Sequence, residues 1–198
     1  MTYFDHPFVS NSDLNGVKDL TAGREKPVNI QAIYNQGTLN HHALIEPHKA
    51  DKTHKDYALA CTMANTVLED EMCRSIVFSA DLKREHEWYR TKNEYGLMGV
   101  KCKADMSSRM HSVVFEYKGL SVATQDAFIN AVERLNYDQS AAWYLDITGF
   151  HWYLIVAVSK IKPKKLFKLL ITRDHKYYHS GKQKVLHGVR EWRNWDFK

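Results

Sequence analysis

The chain has 198 residues, 44% hydrophobic and 12% aromatic, with only four prolines and nine glycines. This excludes a disordered, collagenous or low-complexity protein and fits one domain spanning residues 1–198. Lys plus Arg outnumber Asp plus Glu by 28 to 23, a net charge of +5 that suits a polyanionic partner. The segment Met1-Thr2-Tyr3-Phe4-Asp5-His6 has neither the basic start nor the apolar run of a secretion signal. Ser10-Asn11-Ser12-Asp13-Leu14 then supplies capping residues for an opening helix predicted to end near Gly23. After Gly37, Thr38 to Glu46 predicts about two helical turns stopped by Pro47, with His41 and Ile45 on one face.

From Lys55 to about Cys73, apolar residues recur at three- and four-residue intervals, predicting an amphipathic helix. Ser75-Ile76-Val77-Phe78 is expected to begin an extended region, and Lys83–Tyr89 and Gly96–Asp105 read as antiparallel strands. Val113–Lys118 combines β-branched and aromatic residues with alternating charge, predicting a strand with Glu116 and Lys118 on one side. Thr124–Leu135 and Tyr137–Leu145 predict helices; Phe150–Val158 and Leu166–Ile171 predict strands. Residues 174–189 are basic and read as helical before a Trp-rich tail. The expected fold is α/β, a central mixed β-sheet flanked by helices.

The longest apolar stretch, Phe150–Val158, is interrupted by His151 and falls far short of the roughly 20 residues that cross a bilayer, so no membrane partner is expected. Cys61, Cys73 and Cys102 are odd in number and lack CxxC spacing, which argues against a disulfide framework or zinc knuckle. A reducing, cytoplasmic location follows as the expectation.

Asp105 and Glu116-Tyr117-Lys118 put two carboxylates and an ammonium on neighbouring strands. Magnesium takes oxygen ligands and keeps waters, so Asp105, Glu116 and the Tyr117 carbonyl can hold Mg²⁺, with Mn²⁺ as a substitute, while a phosphate oxygen completes the shell. Lys118 can orient or help deprotonate the attacking water and balance the charge of a phosphodiester transition state. The spacing D-x(10)-E-x-K also arises on solvated strands; an apolar strand context and a following amphipathic helix favour the site.

These residues resemble the core of the PD-(D/E)XK nucleases, whose restriction-endonuclease-like fold the resemblance implies. Gly37-Thr38-Leu39-Asn40-His41-His42-Ala43-Leu44-Ile45-Glu46-Pro47 is similar to the GTxxHALxxEP segment of RecE-type, lambda-exonuclease-like phage exonucleases, and Asn136 to Asp146 to their NYDxQAAxYLD helix. Ser10–Leu14 resembles their opening segment. The likeness spans most of the chain. It implies a metal-dependent deoxyribonuclease that degrades linear double-stranded DNA from 5′ ends in recombination or repair. His41 would join Asp105, Glu116 and Tyr117 at the metal; Asp105, Glu116 and Lys118 would be catalytic; and Ser12, Gln139, Ser140 and Tyr144 would meet substrate. A homo-oligomer and a single-strand annealing protein are the implied partners. Ser140 departs from the family pattern, since register with Tyr144 and Asp146 puts it where glutamine is usual, with Gln139 one residue earlier.

Other residues compete for roles. A zinc site among His41, His42, His48 and His54 is disfavoured, because Pro47 interrupts the segment and no HExxH pair occurs; His42, about 100° round the helix from His41, should point elsewhere. Glu69, Glu71 and Glu85 read as solvated carboxylates, whereas Glu87 can approach the cleft from the strand before Asp105. Lys160, Lys162, Lys164, Lys165, Lys168, Arg173, Lys176, Lys182, Lys184, Arg190 and Arg193, interleaved with Tyr177, Tyr178, Trp192 and Trp195, either track a DNA backbone or build a basic terminal packing layer. A restriction-like or structure-selective endonuclease and a non-catalytic nucleic-acid-binding protein are the alternative functions.

Overall fold

The computed structural model describes residues 7–15 and 30–196. The first six residues, and the continuation of the opening helix past residue 15 towards Gly23, lie outside the described residues. Residues 11–15 are helical, as expected from their caps: the Asp13 carboxylate accepts from the Ser10 N–H and hydroxyl, each at 2.7 Å. Helix α1 runs Ile30–Ile45 and stops before a short 3-10 turn at Pro47–Lys49, because proline supplies no N–H to continue the ladder.

The expected single helix from Lys55 to Cys73 is two, α2 (Tyr57–Glu69) and α3 (Glu71–Val77), and the expected extended stretch at Ser75–Phe78 is the end of α3. Asp70 makes the break: its backbone is extended and its carboxylate accepts the Cys73 N–H at 3.0 Å, starting a new helix. Lys168 pairs with the same carboxylate at 2.6 Å, so Asp70 belongs to the fold and not to a free acidic surface.

Five strands form one mixed sheet in the order β1 (Lys83–Arg90), β2 (Val100–Ser108), β3 (Val113–Leu120), β4 (Trp152–Ser159), β5 (Leu166–Ile171). All neighbours are antiparallel except β3 and β4, which run parallel and are joined through α4 (Gln125–Arg134) and α5 (Tyr137–Thr148). Thr124 caps α4 through the Ala127 N–H, and Asn136 and Gly149, both at positive φ, bracket α5. One sheet face packs Phe115, Tyr117, Leu154 and Val156 against α1, α2 and α3; the other packs Val114, Tyr153, Ile155 and Ala157 against α4 and α5. The mixed α/β sheet flanked by helices is therefore as the sequence predicts. Among the described residues, no helix is long and apolar enough to cross a membrane.

The last helix, α6 (Lys176–Asp196), extends beyond the predicted 189 and lies along α5. The contact closes at Gly181, where an added Cβ would press into the Asp138 carbonyl and the Gln139 amide. Both are backbone atoms and cannot swing aside. Gly181→Ala is therefore expected to cost about 2–3 kcal/mol by forcing the helices apart, despite alanine's better helix propensity. Urea unfolding checks this: a midpoint equal to or above the parent's would show that the helices can separate freely.

Candidate metal and nuclease centre

Asp105 and Glu116 meet where β2 and β3 part. The ladder between these strands pairs Ser108↔Val113, Ser107↔Val114 and Met106↔Phe115, then stops one residue short of the two acids. In place of a backbone partner, the Tyr117 N–H donates to Asp105 Oδ2 at 2.9 Å. A strand residue's carbonyl leaves on the same edge as its N–H, so Tyr117 O is also directed into the fork. Across β3 the pairing with β4 runs unbroken through Glu116↔Ile155 and Lys118↔Ala157, which fixes the strand that carries the acid and the amine.

Alternation along β3 sets Glu116 and Lys118 on one side, as predicted, with Lys118 Nζ 2.6 Å from Glu116 Oε1. The other oxygen, Glu116 Oε2, is buried and accepts nothing. Burial foremost, and then the charge of Asp105, push the Glu116 carboxyl up to about 7, with Lys118 only partly offsetting them. Asp105 goes the other way: burial would raise it, but Lys118, His41 and the Tyr117 N–H together hold it below the usual range. Burial opposes the charge on Lys118, yet Glu116 and Asp105 raise its pKa above the ordinary lysine value, so it stays an ammonium.

His41 arrives from α1 on the opposite wall, with Nδ1 3.4 Å from Asp105 Oδ1 and Nε2 2.8 Å from Glu85 Oε1. Those two carboxylates overcome burial and raise the imidazole to about 10. A cleft of about 470 Å³ adjoins this cluster, lined by Asn40, His41, Tyr117, Lys118, Gly119 and Lys160 among others. Gly119 lets α1 and the strand approach closely, since a Cβ there would meet the Asn40 amide at 2.8 Å.

The donor set suits a divalent cation. Asp105 stands 3.4 Å from His41 and interacts electrostatically with Glu116, whose buried oxygen without a partner is the kind of group that a bound cation satisfies. Among the described residues, the group of three ligating side chains whose donor atoms lie within 4.8 Å of one another is His41, Glu46 and Glu85. Glu85 is the site residue that sequence reasoning missed; Glu87 instead accepts from the Tyr89 hydroxyl at 2.9 Å and is exposed. His42 is not part of that group, in keeping with its expected direction.

The expected substrate contacts are divided. Ser12 is exposed at the start of the chain's described part. Gln139 is fully buried and its amide donates to Asn11 and Asn15, while the Ser140 hydroxyl accepts from the Asn11 amide at 3.0 Å. Both residues thus hold the 11–15 helix against α5. Tyr144 donates to the Lys103 carbonyl at 2.6 Å, two residues from Asp105, bracing β2 behind the site.

Much of the basic C-terminal half turns out to be occupied within the fold. Lys182 pairs with Asp146 and Glu94, Lys184 with Asp138, Arg173 bonds the Phe150 and Leu145 carbonyls, and Arg193 those of Tyr95 and Gly96. Lys160 lies in the cleft wall together with His41 and Lys118.

Over 98% of its length, this chain is similar in structure to a Eubacterium rectale protein provisionally named an exonuclease, at 15% identity, a TM-score of 0.63 and 85% coverage of that chain. A phage-related exonuclease from Haemophilus somnus 129PT aligns at 13% identity over 96% of this chain and 95% of its own, with a TM-score of 0.46, too loose an agreement to rest on. The first likeness establishes a shared fold. No protein-family model matches the sequence, and no curated protein matches it.

Proposed function

We propose that this protein is a divalent-cation-dependent deoxyribonuclease acting on linear double-stranded DNA. The observation that carries the reading is the fork between β2 and β3, where Asp105 accepts the Tyr117 N–H and Glu116, with one buried oxygen unpartnered, stands beside Lys118. The shared fold with the Eubacterium rectale protein supports it. Asp105, Glu116, Tyr117 O and His41 would hold Mg²⁺, or Mn²⁺ in its place. Such an ion, when bound, polarises a phosphoryl oxygen and lowers the pKa of water.

The chain's own groups supply the rest. Lys118, an ammonium beside Glu116 in the cation-free protein, is placed to orient or help deprotonate the attacking water and to offset charge building on the phosphate. Lys160 extends the positive wall of the cleft towards a neighbouring phosphate. Attack from 5′ ends, a role in recombination or repair, a homo-oligomeric assembly and cooperation with an annealing protein are proposed from the resemblance of the GTxxHALxxEP and NYDxQAAxYLD segments.

The test compares the parent and Lys118→Ala on end-labelled linear duplex and on closed circles, with Mg²⁺, Mn²⁺ or chelator. Progressive cation-dependent loss from one end is expected, falling on the order of 10²–10³-fold in the variant. Cutting of closed circles would replace the reading with an endonuclease, and binding without cutting under either ion would replace it with a non-catalytic DNA-binding protein.

A further inference from the structure

Glu85 lies in the middle of β1, yet its φ is +51°, a left-handed conformation that a residue with a long side chain rarely adopts. Such backbone costs on the order of 1–3 kcal/mol and persists where the surroundings enforce it, often at functional sites. The β1–β2 pairing passes over it: Arg84↔Met106 and His86↔Ala104 flank the gap, so Glu85 stands opposite Asp105. The consequence of the turned backbone is a side chain facing α1. Its Oε1 is 2.8 Å from His41 Nε2 and its Oε2 is 2.5 Å from Lys103 Nζ.

An imidazole that ligates a cation does so through an unprotonated nitrogen, while the other nitrogen carries a hydrogen and needs an acceptor. His41 presents Nδ1 to Asp105 and Nε2 to Glu85. Resting on the cation reading of the fork, we infer that Glu85 is a positioning residue: it accepts the Nε2–H of His41, fixes the tautomer, and thereby aims Nδ1 at the cation held by Asp105 and Glu116. Lys103 anchors Glu85 in turn.

The competing assignment makes Glu85 and Glu46 direct ligands with His41, whose donor atoms do cluster. The lysines on Glu85 and Glu46 weigh against it. Both Glu85 oxygens are taken, by an imidazole and an ammonium, and Glu46 Oε1 is 2.6 Å from Lys49 Nζ. A cation there would sit beside two lysines. By contrast, an oxygen without a partner stands across the site on Glu116. The strained backbone therefore serves orientation, not ligation.

Mn²⁺ titration by calorimetry, with nitrogen NMR of the histidines in Mg²⁺, separates the possibilities without reference to cleavage. Glu85→Gln keeps a carbonyl acceptor and is expected to bind Mn²⁺ within about threefold of the parent, with the Nε2–H tautomer of His41 retained. Glu85→Ala is expected to weaken binding by about 10- to 100-fold at unchanged stoichiometry and to lose the single tautomer. Thermal unfolding without cation should remain one cooperative transition in both, somewhat lower in Glu85→Ala because its ion pairs with His41 and Lys103 are gone, which guards against misfolding. Equal loss in Gln and Ala would make Glu85 a ligand, and parent-like behaviour of Ala would remove its role; either overturns the inference alone. A parent that binds no Mn²⁺, or a Glu116→Gln variant that binds as the parent does, would remove the cation site and with it the nuclease reading.

Discussion

Glu116→Gln is expected to abolish cation-dependent cleavage while leaving the cation-free protein as stable as the parent, or more so. In the absence of a cation, Glu116 is a poor residue for the fold: one oxygen is buried without a partner and the carboxylate faces that of Asp105. Glutamine keeps the shape, ends the repulsion with Asp105 and gives up the charge that pairs with Lys118. With cation the order reverses. A ligand that binds only the native state adds about 2.7 kcal/mol at 100 times its dissociation constant, or roughly 5–10 °C in unfolding midpoint for a chain of this size. Calorimetry with and without Mn²⁺ should show that rise in the parent and little of it in the variant. Protons compete for the same carboxylate, whose pKa is raised to about 7, so the rise should be smaller at pH 6 than at pH 8. An equal rise in parent and variant would place the cation elsewhere.

The second large effect is expected far from the cleft. Asp146, with a side chain only 4% exposed, accepts from the Tyr178 hydroxyl and from Lys182 Nζ, each at 2.7 Å, and also from the Tyr95 hydroxyl. It thereby ties α5 to α6 and to the segment between β1 and β2. Removing one partner of a buried pair strands the other, at a cost of about 3–5 kcal/mol. Asp146→Ala should lower the urea midpoint accordingly. Adding Lys182→Ala should cost less than the sum of the two changes measured singly, because both remove the same ion pair, Lys182 keeping Glu94 as a second partner in the single variant. Strict additivity would show that the two side chains act separately.

The sheet was largely legible in the sequence because β3, β4 and β5 are built from β-branched and aromatic runs whose period leaves little choice. Glu116 and Lys118 on one face were legible for the same reason, alternation along β3, whereas Asp105 was joined to them through the resemblance to the PD-(D/E)XK core. Ser75–Phe78 was misread because three β-branched or aromatic residues resemble a strand, while the Asp70 cap that keeps them helical acts from outside the window. Glu85 was hidden for a different cause. In a regular strand Glu85 and Glu87 share a face, and a left-handed residue breaks that rule without leaving a mark in composition. Its partner, His41, lies on a helix far upstream. The basic C-terminal half looked suited to DNA because lysine content does not reveal which ammonium groups already have carboxylates, as Lys182 and Lys184 do.

The parallel pairing of β3 with β4 also governs when the centre comes into being. Hairpins β1–β2, β2–β3 and β4–β5 need only short closures, whereas joining β3 to β4 aligns Val113 with Trp152 and requires both intervening helices to be in place. Long closures of this kind are slow steps in folding. Until that seam zips, the strand bearing Glu116 and Lys118 has an open flank and nothing to hold its twist. On the proposed reading, a nascent or partly denatured chain would carry every one of these groups and yet lack the centre, which only completed topology assembles.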